Sequence, residues 1–351
     1  MLGLAILCLT GCGRPPDTSY EQQLFAFGTL VDISLYGVEP TQAHQAVQAI
    51  DSLFQRQHHD WHAWQRGALD DLNRAISEGR SIETTASLIH LIQLGQRFEQ
   101  LSGGLFNPAI GHLLNLWGFQ QDEPNHTPPD PASIRQWLQA APSMSQLHIS
   151  GSRINSDNPA VKLDFGGFAK GYSVALAVEL LEERGIRNLI VNAGGDLCLR
   201  GRHGDRLWRI GIRAPDGQGV LASMDLGGSQ CVFTSGDYER YFEFKGKRYS
   251  HIIDPRSGYP AVGARSVTVL AGDATLADAA ATALFVAGPG RWPDIARGMG
   301  IRDVLLIDTA GGAHMTDTLQ ALVHFERPPT SIETVTLEPP GTSEKGILTA
   351  R

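Results

Sequence analysis

The stretch LDFGGFAKGY, residues 163–172, brings a carboxylate, two glycines and a lysine together at the predicted start of a helix. Gly166 and Gly167 would let the backbone approach a ligand closely. The N-terminus of a helix favours a phosphate group, and Lys170 would pair with its negative charge. A tight turn with Asp164 as a helix cap and a solvated lysine explains the same residues. This pattern alone therefore leaves a phosphate site and a plain turn open.

Asp278 and Thr282 form a second candidate, in the alanine-rich run ADAAAT. Their spacing of four residues places both side chains on one face of a helix. The alanines around them leave room for another group to approach. A carboxylate and a hydroxyl that converge with backbone carbonyls suit a hard cation such as Mg²⁺. The same run also fits a helix that Thr275 caps, with Asp278 in its first turn, and the two interpretations are compatible.

Two further polar motifs follow predicted strands. His251 lies at the end of a strand beside the turn DPRSG, where it is either a structural hydrogen-bonding group or a general base or ligand contact. The motif NAGGD, residues 192–196, has a glycine pair at a strand end. Such a pair is typical of a bulge or of backbone close to a ligand, although on its own it fits a plain turn.

Two other patterns carry little weight. GQGVLA, residues 217–222, matches a loose GxGxxA pattern, but no helix signal follows it, so a hairpin loop explains it better than a dinucleotide site. His58, His59 and His62 resemble a metal-binding cluster, but no Cys or Glu joins them at a known zinc spacing. A metal or solute site on this histidine loop stays an alternative.

The chain around these motifs mixes helices and strands. Apolar residues at helical spacing predict helices at residues 41–57, 86–101, 171–184 and 275–286. Short runs typical of strands occur at residues 24–36 (broken at Gly28), 161–164, 188–192, 208–213, 231–234, 241–244, 248–253, 266–270 and 304–307. Lys245 and Gly246 are typical of a hairpin turn between the runs at 241–244 and 248–253. This order predicts an α+β fold in a single large mixed domain.

The first twelve residues, MLGLAILCLTGC, are uncharged and mostly apolar. A run this short cannot span a bilayer, which takes about 20 residues. It resembles the end of a bacterial lipoprotein signal, although the usual basic segment is missing, and an apolar strand is the alternative. We expect a signal at residues 1–11, a lipidated Cys12 with a tether to residue 23, a domain at 24–327 and a flexible tail at 328–351.

Charge and cysteine content exclude some classes of function. The net charge is −8 and no basic cluster occurs, which argues against a nucleic-acid surface. Of the four cysteines, Cys8 would be removed with the signal and Cys12 would carry lipid. Cys198 and Cys231 remain, both in strand-like runs. An oxidising compartment permits a disulfide between them, but we expect two buried thiols.

Taken in order, these segments resemble the FAD:protein FMN transferase family, also called the ApbE family. The resemblance runs from about residue 25 to about residue 325. Eight motifs carry it: FGT, LNRA, GGLFNPAIGHLLNLWGF, LDFGGFAKGY, VNAGGD, TSGDYERYF, YSHIIDPRSGYP and ADAAATAL. It implies one α+β catalytic domain with FAD in a central cleft and Mg²⁺ beside the pyrophosphate.

The resemblance also implies roles for single residues. It places flavin contacts at Phe27, Trp64, Phe106, Asn107, Asp164, Lys170 and His251, and the metal site at the Gly167 carbonyl with Asp278 and Thr282. Phe27 stands where the family usually has Met. Asn107 stands where the family commonly has Asp, so its side chain keeps an acceptor oxygen but loses the negative charge. His251 and Asp278 are the expected catalytic residues. His251 would be the base, because the unperturbed histidine pKa of about 6.5 leaves it mostly neutral.

The implied reaction is the Mg²⁺-dependent transfer of FMN from FAD to a Thr or Ser hydroxyl of an acceptor protein, with release of AMP. The implied acceptors are subunits of membrane redox complexes of the sodium-translocating NADH:quinone oxidoreductase or Rnf type, which carry a D/S-G-x-T-like site. This chain has no D/S-G-A/S-T sequence. With the lipid anchor, we expect the protein at the periplasmic face of a bacterial membrane, preferably the inner one. An FAD pyrophosphatase and a non-catalytic flavin-binding lipoprotein are the alternatives.

Overall fold

A large, mostly antiparallel sheet organises the chain. The computed structural model describes residues 18–121 and 126–337. The strands described there are β1 (Ser19–Ala26), β2 (Thr29–Tyr36), β3 (Ile82–Glu83), β4 (Leu147–Ser150), β5 (Arg153–Ser156), β6 (Leu189–Ala193), β7 (Asp196–Gly201), β8 (Trp208–Arg213), β9 (Val220–Leu226), β10 (Gly228–Gly236), β11 (Tyr241–Phe244), β12 (Lys247–Ser250), β13 (Ala264–Ala271), β14 (Asp303–Asp308), β15 (Ala313–Thr316), β16 (His324–Phe325) and β17 (Ile332–Val335). Over the same residues, the large sheet has the order β1-β2-β6-β7-β10-β13-β14-β15-β17. Only its last pair, β15 with β17, is parallel.

The helices lie mainly on one side of this sheet. They are α1 (Pro40–Trp61), α2 (Ala68–Ser77), α3 (Ala86–Leu101), α4 (Gly111–Leu116), α5 (Pro131–Ala140), α6 (Ala169–Glu183), α7 (Ala274–Ala287), α8 (Trp292–Met299) and α9 (Asp317–Gln320). None of these helices has both the length and the apolar character needed to cross a bilayer. The mixed α+β fold predicted from the sequence is confirmed.

Strand alternation buries both faces of the large sheet. On β14, Val304 and Leu306 join the core under the helices, whereas Leu305 and Ile307 join a second core. That second core lies against a small sheet of β16, β9 and β8. Successive side chains of a strand point to opposite faces, so each strand contributes to both layers. The result is a three-layer arrangement of helices, large sheet and small sheet.

Several local predictions are confirmed. Residues 24–36 form the β1–β2 hairpin, which turns at Gly28, and the predicted helix at Ala86–Leu101 is α3. Lys245 and Gly246 both have positive φ and form the turn between β11 and β12. The GQGVLA run lies between β8 and β9, with no helix after it.

The strand predicted at residues 161–164 is wrong. Within it, only Lys162 makes an isolated bridge, to Ile110. At Leu163, a side chain forms the main-chain hydrogen bonds that a neighbouring strand would otherwise form. Asn73 on α2 donates to the Leu163 carbonyl at 2.9 Å and accepts from the Leu163 N–H at 2.6 Å. An apolar run cannot reveal such a partner 90 residues away, and the contact holds the backbone just before the glycine turn.

We expect Asn73→Ala to lower the free energy of unfolding by about 2–4 kcal/mol, because it leaves a buried donor and a buried acceptor of Leu163 unpaired. Urea denaturation followed by circular dichroism measures the change. Arg74→Ala is the matched control on the same helix. Its side chain is exposed and pairs only with surface aspartates, so its loss should cost less than about 1 kcal/mol. Equal losses in the two variants would contradict the role given to Asn73.

Cys198 and Cys231 form a disulfide, so the expectation of two buried thiols is wrong. The two residues are direct partners in the β7–β10 pairing, with a Cα–Cα distance of 4.0 Å. A separation of 33 residues in the sequence gave no indication of this register. Direct partners on adjacent antiparallel strands have neighbouring side chains on one face of the sheet, which brings the two sulfur atoms together.

The predicted ends of the domain also need correction. Residues 19–23, assigned to the tether, belong to β1, and residues 332–335, assigned to the tail, form β17. Pairing with β2 and β15 orders both segments, in spite of their polar composition. The signal, Cys12 and the end of the tail lie outside the described residues.

Candidate functional site

The predicted metal residues come together between α6 and α7. A Cβ added to Gly167 would lie 3.9 Å from Oγ1 of Thr282, so the turn backbone lies against that hydroxyl. One helical turn away, the buried Asp278 accepts a hydrogen bond from the N–H of Gly171 at 2.8 Å. Thr282 Oγ1 is also 3.1 Å from the hydroxyl of Ser235 on β10. A carboxylate and two hydroxyls therefore lie beside the glycine turn and the start of α6.

Helix α7 is capped by Asp273 and not by Thr275. Its carboxylate accepts from the N–H groups of Thr275 and Leu276, each at 3.0 Å. The capping interpretation of the ADAAAT run is thus wrong, since Asp278 bonds to α6 instead of to its own helix start. Burial, reinforced by the nearby Asp196 carboxylate, raises the pKa of Asp278 to about 8. A bound cation would relieve the cost of this buried charge.

Lys170 is held by Asp196, the last residue of the NAGGD motif. The two side chains form a short ion pair, and Asp196 also accepts from the N–H of Thr234 at 2.9 Å. Burial by itself would lower the pKa of Lys170, but the carboxylates of Asp196 and Asp278 outweigh it and raise this pKa. The ammonium therefore stays charged beside the candidate metal residues.

The N-terminus of α6 differs from the expectation. The main-chain N–H of Gly171 is bonded to Asp278, so it is not available to a phosphate in this arrangement. The contact of Lys170 with an anion stays a prediction.

His251 follows β12 and is anchored to the residue before β11. Its N–H donates to the Arg240 carbonyl at 2.9 Å, and its Nδ1 is 3.2 Å from the same oxygen. A carbonyl only accepts, so Nδ1 carries the proton and Nε2 presents a lone pair. Burial, with the positive charges of Arg240 and Lys170, lowers the pKa of His251 to about 4. The ring is therefore neutral near pH 7, as a base requires.

Asp164 is fixed by a chain of polar side chains. Its carboxylate accepts from the Gly166 N–H at 2.8 Å and from the side-chain amide of Gln120 at 2.6 Å. The amide oxygen of the buried Gln120 accepts from Lys162 at 3.1 Å. These bonds hold the carboxylate over the glycine turn.

Phe27 and Trp64 lie at the two ends of a row of aromatic rings along the end of α1. Phe27, at the hairpin tip, is edge-on to Phe54 at 5.3 Å and to His58 at 6.2 Å between ring centres. His62 lies 5.0 Å from His58 and 4.5 Å from Trp64. Trp64 is 39% exposed, so its ring is accessible to a ligand. A flavin contact by either ring stays a prediction.

Phe106 and Asn107 are placed where they support the local structure. The Phe106 ring is buried beneath the turn, where a Cβ on Gly167 would come within 2.9 Å of it. Asn107 donates to the Pro142 carbonyl at 2.9 Å and accepts from the Ala109 N–H at 2.8 Å. These contacts account for both side chains without a ligand, and their flavin contacts stay predictions.

The histidine loop gains no support as a metal site. Among residues 18–121 and 126–337, no group of three or more His, Cys, Asp or Glu side chains is placed to hold a metal ion. The Gly167–Asp278–Thr282 site is of another kind, because it combines one carboxylate with a hydroxyl and a main-chain carbonyl.

A surface pocket lies elsewhere, on the small sheet. It is lined by Arg209, Gly211, Val220, Ser223 and Glu326. The small sheet packs on the opposite face of the large sheet from α6 and α7. Its polar side chains already bond to one another, since Arg209 and Ser223 both donate to Glu326 at 2.7 Å. This pocket has no part in the site.

Sequence reasoning missed several residues of the site. Asp196 ends the NAGGD motif, which on its own fits a plain turn. Gln120 and Ser235 lie 44 and 47 residues from their partners, and Arg240 lies 11 residues from His251. Only the fold brings them to the predicted residues.

Gly171 marks the closest approach of α6 to α7. A Cβ at this position would lie 2.5 Å from the Ala274 carbonyl oxygen and 2.8 Å from Cβ of Asp278. We expect Gly171→Ala to push the helices apart and to lower the free energy of unfolding by about 1–3 kcal/mol. Gly272→Ala is the control, since nothing lies within 4 Å of its added methyl. Denaturation curves in which both variants match the wild type would refute this packing.

Comparison with known proteins gives a consistent match. The sequence model described as the ApbE family matches residues 27–305. A protein of Rhodobacter capsulatus named FAD:protein FMN transferase is 43% identical over 306 residues, which is 87% of this chain and 58% of that protein. A Treponema pallidum (strain Nichols) protein of the same name is 34% identical over 307 residues, 81% of this chain and 84% of that protein. The crystal structure of the ApbE protein from Thermotoga maritima MSB8 superposes with a TM-score of 0.79 at 33% identity, over 89% of this chain and 100% of that one.

Proposed function

This chain belongs to the ApbE family, and we propose that it is an FAD:protein FMN transferase that uses Mg²⁺ and releases AMP. One observation of the structure carries the proposal. Gly167, Asp278 and Thr282 lie together, with the cation Lys170 beside them. A pyrophosphate needs this combination of metal ligands and fixed positive charge when it is cleaved.

The residues fit Mg²⁺. Asp278 is buried, and burial beside the Asp196 carboxylate raises its pKa to about 8, so its charged form is poorly stabilised unless a cation binds. The Thr282 hydroxyl and the Gly167 carbonyl would complete the protein part of the site. When bound there, Mg²⁺ would neutralise charge on the pyrophosphate oxygens.

Lys170 and His251 would supply the anion contact and the base of the reaction. Lys170, oriented by Asp196, would bind the pyrophosphate and stabilise the charge that develops on the leaving phosphate. His251 would accept the proton of the acceptor hydroxyl at Nε2, since Nδ1 is occupied by the Arg240 carbonyl. The hydroxyl oxygen bonds to the FMN-side phosphorus, the bond from that phosphorus to the bridging oxygen breaks, and AMP leaves with that oxygen.

We propose that the acceptor is a Thr or Ser hydroxyl of another protein. That protein would be a subunit of a membrane redox complex of the sodium-translocating NADH:quinone oxidoreductase or Rnf type. A lipid on Cys12, outside the described residues, would hold the enzyme at the periplasmic face of the membrane. Such a tether raises the effective concentration of enzyme and acceptor. The disulfide supports an oxidising compartment of this kind.

Measurement of AMP release with and without an acceptor tests the proposal against its alternatives. We expect AMP to appear with FAD, Mg²⁺ and an acceptor peptide that carries a D-G-A-T site, and to stay near background without the peptide. Steady release without any acceptor would favour an FAD pyrophosphatase. FAD binding with no AMP in either case would favour a flavin carrier.

A further inference from the structure

The disulfide lies close to one end of the pairing between β7 and β10. The pairing runs from Gly228 opposite Gly201 to Val232 opposite Leu197, and Cys231 faces Cys198 one residue pair before that end. Both cysteines are buried, each 1% exposed. The covalent bond therefore secures the end of the ladder that points towards the site.

The same two strands continue into the site just beyond the disulfide. Asp196 precedes Cys198 by two residues on β7, and Thr234 and Ser235 follow Cys231 on β10. Asp196 bonds to Lys170 and to the Thr234 N–H, and Ser235 contacts Thr282 at 3.1 Å. Each strand thus carries a residue that touches a predicted site residue, since Asp196 contacts the predicted flavin contact Lys170 and Ser235 contacts the predicted metal ligand Thr282.

Strand alternation also places the disulfide on the face of the large sheet that carries α6 and α7. Cys198 and Cys231 belong to the core on the helix side of the sheet. Asp196 is two residues from Cys198, so its side chain points to the same face, towards Lys170 on α6. A change in the separation of β7 and β10 would be transmitted directly to the Asp196–Lys170 pair, since Asp196 on β7 is bonded both to the Thr234 N–H of β10 and to Lys170.

We propose that the Cys198–Cys231 disulfide is a positioning element of the active site, which fixes Asp196 and through it Lys170. Without the disulfide, the protein keeps its fold but binds the pyrophosphate of FAD less tightly and transfers FMN more slowly. Reduction by a dithiol breaks the S–S bond, leaves two thiols and converts the dithiol to its own disulfide, so the effect is reversible. This inference rests on the proposed function.

The test compares oxidised wild-type protein with C198A/C231A. We expect the Kd for FAD, from flavin fluorescence quenching, to rise about fivefold or more, and the FMN transfer rate to fall about tenfold, on the scale of a lost charge-assisted contact. Circular dichroism must show that the variant is folded at the assay temperature. Leu319→Ala is the matched control: it makes a cavity in the core on the other face of the sheet and should leave FAD affinity unchanged.

A double-mutant cycle with Asp196→Asn shows whether the disulfide acts through Asp196. We expect loss of the disulfide to add little once Asp196 is replaced, because both changes disturb the same lysine. Wild-type FAD affinity and rate in C198A/C231A, or fully additive losses in the cycle, would overturn the inference. If wild-type protein binds FAD but does not transfer FMN, the proposed function fails. The Kd for FAD of the wild type and of C198A/C231A can still be compared in that case, and this comparison decides the inference. A wild type that binds no FAD would overturn both.

Discussion

Asp278→Ala is expected to abolish Mg²⁺-dependent FMN transfer while the protein stays folded. The side chain is buried between α6 and α7 and supplies the only carboxylate of the proposed Mg²⁺ site. Loss of a strong electrostatic contact in an active site typically lowers turnover by about 10²–10³-fold, and loss of the metal should cost at least that much. Intact mass spectrometry of the acceptor gives the rate, and isothermal titration calorimetry gives Mg²⁺ binding separately.

Asp278→Asn separates charge from packing. The amide keeps volume and an acceptor oxygen for the Gly171 N–H but removes the negative charge. It should lose Mg²⁺ binding as the alanine variant does, yet remain at least as stable as the wild type. Asp273→Ala, which removes only the cap of α7, should cost about 1 kcal/mol of stability and keep transfer. Undiminished transfer by either Asp278 variant would refute the metal assignment.

The pKa of Asp278 predicts a pH dependence of stability in metal-free protein. In the folded state this pKa is raised to about 8, against 3.8 ordinarily. Between these values the folded protein binds more protons than the unfolded one, so the free energy of unfolding falls as pH rises. Denaturation curves in EDTA should show that the free energy of unfolding of the wild type falls across the roughly two pH units from pH 6 to pH 8. The fall should be smaller in Asp278→Asn.

His251→Ala is expected to separate turnover from binding. The proposed base contributes to proton transfer, which is typically worth about 10²–10⁴-fold. Its ring contacts the Arg240 carbonyl and the edge of Phe119. We expect the transfer rate to fall by that factor while the Kd for FAD changes only a few-fold. His44→Ala, an exposed histidine of α1, is the control and should behave like the wild type.

The pH profile offers a second readout for His251. Its pKa is lowered to about 4, so the neutral form that accepts a proton predominates above that pH. The acid limb of kcat/KM for FAD should therefore have its midpoint near pH 4 and not near the ordinary value of 6.5. This limb should disappear in His251→Ala. Equal losses of FAD binding and turnover in the variant would instead assign His251 to binding.

Local chemistry explains what the sequence could predict. The four-residue spacing of Asp278 and Thr282 fixes a shared helix face, and Lys245 with Gly246 marks a hairpin turn. Such patterns depend on neighbours within a few residues, and the structure confirms both elements. Each motif is weak on its own, but together they resemble one family, and that resemblance predicted a single site.

Long-range contacts explain what the sequence could not predict. Asp196 reaches Lys170 across 26 residues, and Asp278 reaches Gly171 across 107. Asn73 replaces a strand partner for Leu163, and Cys198 meets Cys231 only through the register of two strands. Neither periodicity nor turn chemistry contains this information, because it arises from how the sheet and helices pack.

The same reasoning explains the errors at the ends of the domain. The polar, Pro-rich composition after residue 327 favoured a loose tail, yet β17 pairs with β15. An edge strand of a sheet can gain its stability from main-chain hydrogen bonds, for which composition is a poor guide. Residues 19–23 show the same effect in β1.

The most direct test of the central claim is intact mass spectrometry of an acceptor protein. The purified enzyme is incubated with FAD and a domain bearing a D-G-A-T site, in Mg²⁺ and in EDTA. We predict that the acceptor gains the mass of one FMN less one water in Mg²⁺, with one AMP released for each, and gains nothing in EDTA. An acceptor of unchanged mass, under conditions where the enzyme binds FAD and Mg²⁺, would contradict the assignment as an FMN transferase.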